Sequence, residues 1–111
     1  MARNWVICVY KPHDGKEDEF KSLIRRHYAT LREQRLVTSR LPIVMRSAID
    51  GTYLEMFEWE SAASANEAHE NKHVNEIWEG LAACADMLTL KSLKAAEQRF
   101  AHFEDASELV A

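Results

Sequence analysis

Arg46 and Glu55 are the first pair of side chains whose types and placement could do chemistry. Each lies within a run of strand-forming residues, and Tyr53, Phe57 and Trp59 stand close by in the sequence. A guanidinium and a carboxylate among aromatic rings could orient a planar polar ligand, with Arg46 stabilising an anionic oxygen and Glu55 handling a proton. The same two residues could equally be a cross-strand ion pair, because buried ion pairs often cost as much in desolvation as they return. His69 is a second proton donor or acceptor, placed at a pocket rim by its position early in a helix. His69-Glu70-Asn71-Lys72-His73 spells HExxH, but a bend expected near Asn71 would spoil the i, i+4 geometry of the two imidazoles, and two histidines fall short of the three protein ligands zinc needs. No metal is expected.

His27 falls on the apolar stripe of a helix and reads as a hydrogen-bonded core histidine. Tyr10, Trp59 and Trp78 could wall a substrate pocket, although large aromatics at core spacing are more often core. Cys8 and Cys84 sit inside apolar patterns and read as buried reduced thiols without a nucleophile constellation. The chain carries no phosphate loop, nicotinamide fingerprint or haem attachment motif, so no cofactor is expected.

The elements that must position these groups follow from periodicity. Trp5 to Tyr10 is a β-branched and aromatic run, a strand covered on both faces. Asp14 with Glu17 reads as a capping box for a helix over 16–34, whose stripe is Phe20, Leu23, Ile24, His27 and Leu31. Asp50-Gly51 between two strand-like runs signals a two-residue hairpin. That turn pairs Met45 with Met56, Arg46 with Glu55 and Val44 with Phe57. One hairpin face is then aliphatic (Ile43, Met45, Leu54, Met56) and suited to helices; the other is aromatic and suited to a partner subunit. Ser64 with Glu67 reads as a second capping box, followed by a bend near Asn71-Lys72 and the stripe Val74, Ile77, Trp78, Leu81 and Ala85. Met87 to Leu93 alternates and reads as the last strand. Leu93, Ala96, Phe100 and Phe103 mark a short C-terminal helix over 94–103 that docks, on this chain or on a partner, rather than binds a ligand, and 104–111 reads as a loose tail.

Composition bounds the rest. With 111 residues, 47% hydrophobic and only three Gly and two Pro, the chain reads as one globular domain spanning 1–111, its core within 5–93. Its net charge of −4 comes without a Lys/Arg run, so neither nucleic acid nor an anionic membrane is an expected partner. No apolar run approaches a membrane span, and Met1-Ala2-Arg3-Asn4 does not read as a signal peptide, so a cytoplasmic setting is expected.

Strand, helix, strand, strand, helix, strand describes an α+β, ferredoxin-like βαββαβ fold: a four-stranded antiparallel sheet with both helices on one face. The uncovered face is too apolar to stay wet, which points to a homodimer. The hairpin from Gly51 to Ser61, with its Glu58-Trp59-Glu60-Ser61 end, and the helix start from Glu67 to Trp78, with its early His69, resemble the dimeric α/β-barrel superfamily. The likeness spans Trp5 to Leu93 and is greatest to the antibiotic-biosynthesis-monooxygenase-like (ABM) branch. That resemblance implies two sheets facing each other across a barrel and a pocket between sheet and helices in each protomer. It implies activities such as cofactor-free oxygenation of quinol-like aromatics, haem degradation, or isomerase and dehydratase chemistry. The haem-degrading pattern of Asn, Trp and His falls here on Cys8, Ala68 and Trp78, and all three depart. Tyr10, Tyr53 and Trp59 partly resemble the set lining the cofactor-free oxygenases, without its Asn. Two functions follow: a cofactor-independent monooxygenase on a small aromatic, or a small-molecule-binding or structural homodimer without turnover.

Overall fold

The computed structural model describes residues 3–110, so the reading of Met1 and Ala2, and the last residue of the expected tail, lie outside the described residues. The first strand, β1 (Trp5–Pro12), leads into helix α1 (Glu17–Glu33), within a residue of the span its periodicity predicts at either end. Phe20, Ile24, His27 and Leu31 form the buried stripe, and Glu17, Asp18 and Glu19 place negative charge in the first turn, where the helix dipole favours it. Asp14 does not cap this helix: Lys16 occupies the cap position and no side chain bonds there. At the other end Arg35 takes φ 60°. Its N–H reaches the Arg32 carbonyl, and the Leu36 N–H reaches Leu31, which is a Schellman closure with arginine in the place glycine usually takes.

Strands β2 (Ile43–Arg46) and β3 (Tyr53–Glu58) form the expected hairpin, but in a register shifted by two residues. Ile43 pairs with Met56, Val44 with Glu55, Met45 with Leu54 and Arg46 with Tyr53. Among the described residues only Gly51 is left-handed in this turn (φ 75°), whereas a two-residue type I′ turn needs two such residues. The hairpin instead closes through Ser47 N–H to the Thr52 carbonyl (2.7 Å) and Gly51 N–H to the Ser47 carbonyl (2.9 Å). An even shift keeps each residue on its expected side of the sheet.

Which side meets the helices is the reverse of the expectation. The aromatic face is the one packed under α1 and the later helix α3 (Lys72–Cys84). Tyr10, Phe20, Ile24, Val44, Tyr53, Ile77 and Leu81 share one cluster there, and Leu31, Phe57, Trp59 and Val74 share another. Phe20 is the cause. Its ring lies 5.3 Å from that of Tyr10 and 4.9 Å from that of Tyr53, so the helix stripe finds its best-shaped partners on the aromatic side.

Helix α2 (Ser64–His69) and helix α3 are separated where the sequence predicts a bend. Asn71 begins α3, its side-chain oxygen accepting from the His73 and Val74 N–H groups. Ser64 is not a cap, since Ala63 holds that position and makes no side-chain bond. Strand β4 (Ala85–Leu88) follows α3 directly, earlier than the Met87–Leu93 strand expected.

The C-terminal segment departs most from expectation. Residues 90–97 form short 3-10 turns rather than an α-helix, and Phe100 is 83% exposed. Leu93, Ala95 and Phe103 instead lie flat on the outer sheet face over Val9, Met45, Leu54 and Leu88. The segment expected to be a loose tail then forms a fifth strand, β5 (Glu104–Asp105), on the free edge of β2, and turns Ala106 and Leu109 into the core under α1. Edge pairing and two buried side chains hold it there, a gain that a composition-based reading of a terminus misses. The result is an α+β fold with an open five-stranded antiparallel sheet in the order β4-β1-β3-β2-β5. Among the described residues no helix is long and apolar enough to cross a membrane.

Candidate functional site

Glu55 is the residue around which the site forms. It projects from β3 toward α1 and is 1% exposed, as is His27, which reaches it from the helix stripe. His27 Nδ1 lies 2.9 Å from Glu55 Oε1 and 3.1 Å from Oε2, and the Tyr10 hydroxyl donates to Oε1 at 2.9 Å. On the far side of the imidazole, Trp78 Nε1 donates to His27 Nε2 at 2.9 Å. An indole N–H can only donate, so Nε2 must be the acceptor and the ring proton must sit on Nδ1, facing the carboxylate. The four side chains thus form one directed chain, from the indole through a neutral imidazole to the carboxylate, which Tyr10 also serves. Among the described residues no lysine or arginine pairs with Glu55.

This chain forms part of the wall of a pocket of about 310 Å³ between the sheet and the helices. Val6, Cys8 and Tyr10 come from β1, Phe57 from β3, Trp59 from just beyond it, and Ala65 and His69 from α2. His27, Trp78 and the edge-strand residue Met87 complete the lining. Phe57 stands edge-on to His27 (5.6 Å between rings) and to Trp59 (5.1 Å). His69 and Met87 are exposed and mark the mouth, with the His69 ring 4.9 Å from Trp78. The volume is at the lower end of small-molecule sites, and a mainly apolar wall with a few converging polar atoms is their usual character.

Low polarity shows in the titrating groups. Burial, followed by the neighbouring Glu55 charge, pushes the Cys8 thiol up to about 12 from an ordinary 9.0. The same two causes hold the Tyr10 hydroxyl well above its ordinary 10.0. Cys8 is therefore a protonated wall group, not a nucleophile. Cys84 is buried and its thiol is also raised, chiefly by burial.

Of the residues singled out from sequence, Tyr10, Phe57, Trp59, Trp78 and His69 line this one pocket, and Glu55 stands immediately behind Tyr10 and His27. Arg46 and Tyr53 do not belong to it. The Arg46–Glu55 pairing is replaced by Arg46 with Glu17 (3.5 Å) and Glu104 (3.2 Å), with the guanidinium 5.9 Å from the Tyr53 ring centre. Tyr53 donates to Glu17 at 3.2 Å, at the opposite end of the sheet face. The shifted register causes this, since it sets Arg46 beside Tyr53 rather than Glu55. Arg46 and Glu17 border a polar cleft of about 280 Å³ with Lys11, His13 and Asp50. Its charges are of both signs and partly solvated.

His27 is the residue of this candidate site that reading by periodicity assigns to the core alone. A buried histidine on a helix stripe and a lone glutamate in an apolar strand each need a partner, and that shared need is the available signal. His69 closes α2 and His73 opens α3, on either side of the Asn71 break. Among the described residues, no group of three or more His, Cys, Asp or Glu side chains is arranged to hold a metal. Compared with protein-family models, with curated proteins and with solved structures, the chain matches none of them.

Proposed function

We propose that this chain is an ABM-like, cofactor-independent monooxygenase that takes a small phenol- or quinol-like aromatic into the sheet–helix pocket. The single observation that carries the reading is the Glu55–His27 pair, a carboxylate fixing the proton on Nδ1 so that Nε2 is the basic atom turned to the pocket side. In this reading a substrate hydroxyl gives its proton to Nε2, and the imidazolium formed is stabilised by the adjacent carboxylate. The resulting electron-rich anion transfers an electron to dioxygen. Recombination at a ring carbon forms the C–O bond, and loss of water leaves a carbonyl. Overall, one ring methylene (an aromatic C–H in the phenol tautomer) and one dioxygen become one ring carbonyl and one water, with the substrate as the electron source. Phe57, Trp59 and Trp78 hold the ring, and His69 at the mouth relays protons to solvent.

The ferredoxin-like, barrel-forming homodimer belongs to the same proposal, on the outer face of the sheet rather than the aromatic one. Ile7, Met56 and Ile43 stand in register across β1, β3 and β2. Trp5, Ile7 and Ile43 are 45%, 42% and 47% exposed, an apolar strip beside the C-terminal segment that a second copy would cover.

A second reading, binding without turnover, is favoured by one fact: His27 Nε2 already accepts from Trp78, and among the described residues no buried side-chain polar atom awaits a partner. Oxygen uptake separates the two. Aerobic incubation with a panel of quinols should give uptake that Glu55→Gln lowers by about a hundredfold, because the base on His27 loses the carboxylate that orients it and stabilises its imidazolium. Binding of quinols without uptake would leave only the second reading, and uptake indifferent to Glu55→Gln would remove the Glu55–His27 pair from the mechanism.

A further inference from the structure

What the site accepts rests on the pocket reading above, and Trp78 decides it. Its indole N–H is half-buried in the pocket wall and occupies the one acceptor atom, His27 Nε2, that the locked tautomer leaves on that side. The remaining polar groups near the imidazole are committed: Tyr10 donates to Glu55, and His27 Nδ1 faces the same carboxylate. No lysine or arginine among the described residues lines the pocket, and a buried carboxylate stands behind its wall. We infer that Trp78 acts as a built-in stand-in for the ligand, its N–H filling the position a ligand hydroxyl takes, so that the site selects a neutral aromatic donor and rejects aromatic carboxylates.

The physics is an exchange. A phenolic O–H that displaces the indole trades one hydrogen bond on Nε2 for another, and the released indole N–H turns toward the open mouth beside His69. A carboxylate can offer Nε2 no proton, and it brings a negative charge into an apolar site near Glu55. Trp78 thereby becomes a gating residue as well as a wall, because the base is uncovered only when a donor of the right kind arrives.

Three ligands of equal ring size test this: naphthalene, 2-naphthol and 2-naphthoate, titrated into the whole chain and followed by the Trp78 indole N–H resonance. 2-Naphthol should bind at least about tenfold more tightly than 2-naphthoate and should move that resonance, whereas naphthalene should bind without breaking the indole bond. Trp78→Phe keeps a ring but removes the competing donor, and should raise the preference for 2-naphthol over naphthalene about two- to tenfold, whatever the smaller ring does to both. Equal binding of naphthol and naphthoate, an indole resonance that stays still on naphthol binding, or a Trp78→Phe variant whose preference for naphthol over naphthalene is unchanged or lower would overturn the inference. Because the wild-type resonance needs no variant, a poorly folded Trp78→Phe does not rescue it. Naphthalene binding without discrimination would sink the inference yet leave the pocket reading standing; binding of none of the three would take both down.

Discussion

Replacing His27 by alanine is expected to cost about 3–5 kcal/mol of folding stability, the sum of a core cavity and of lost hydrogen bonds to a buried carboxylate and a buried indole. Three losses coincide in that substitution. Glu55 keeps only the Tyr10 hydroxyl as a donor, Trp78 Nε1 loses its acceptor, and the edge-on contact with Phe57 becomes a cavity. Against a total stability of about 5–15 kcal/mol for a domain, that is a large fraction. Glu55→Gln makes the contrast. It keeps the shape and one oxygen that can still accept from Tyr10 and His27, and the loss of a buried charge that no lysine or arginine balances offsets part of the cost of its unpartnered amide N–H, so its cost should stay at about 1–2 kcal/mol. Urea or guanidinium unfolding of the two variants measures both. A His27→Ala loss no larger than that of Glu55→Gln would mean that the imidazole holds neither the carboxylate nor the indole in place.

The second large effect concerns alkaline pH. The Cys8 thiol stands at about 12 against an ordinary 9.0, so its thiolate population near pH 8 is suppressed about a thousandfold in the folded chain. Tyr10 is raised well above 10.0, and Tyr53 stands at about 12, by burial and then by the Glu17 charge. All three bind their protons more tightly when folded. Their contribution to stability is therefore full below the unfolded values of 9.0 and 10.0, and it is lost as pH climbs through the folded ones. The unfolding midpoint should fall steadily from about pH 9 toward pH 12, with tyrosinate absorbance and thiol labelling of Cys8 appearing together with unfolding. A midpoint flat from about pH 8 to 11, or rapid labelling of Cys8 in the folded protein near pH 8, would contradict the dry pocket wall.

Much of this fold is legible in the amino-acid order, and the errors fall where contacts distant in sequence decide. Helix α1 is found to within a residue because Phe20, Ile24, His27 and Leu31 mark one stripe over about three turns. The break at Asn71 is visible because an asparagine there interrupts two helical patterns. Alternation correctly sorts the hairpin into two faces, yet it cannot say which face meets the helices. That choice depends on how Phe20 fits against Tyr10 and Tyr53, which is a matter of shape and not of period. The register slips because Asp50-Gly51 suggests a tight turn, while Asp50 in fact accepts from the Thr52 N–H within a wider loop. The C-terminal strap is hidden for a different reason. Ala95, Ala106 and Leu109 are buried singly by contact with distant strands, so no local pattern announces them.

The same limits govern the site. Tyr10, Phe57, Trp59, His69 and Trp78 converge, since each lies where its strand or helix reaches one end of the same layer. Arg46 falls elsewhere through the register alone. His27 is legible as buried and hydrogen-bonded, but its partners come from 28 and 51 residues away. Long-range pairing of that kind leaves only a chemical hint, two buried titratable groups each in need of the other.

Everything proposed for the pocket depends on a single proton resting on Nδ1 of His27. Nitrogen-15 spectra of the imidazole at neutral pH read that directly. A protonated Nδ1 and an unprotonated, hydrogen-bonded Nε2 coupled to the Trp78 indole is the expected result. A ring protonated on Nε2, or on both nitrogens, would break the bond to Trp78 and remove the acceptor on which binding and catalysis are argued to depend.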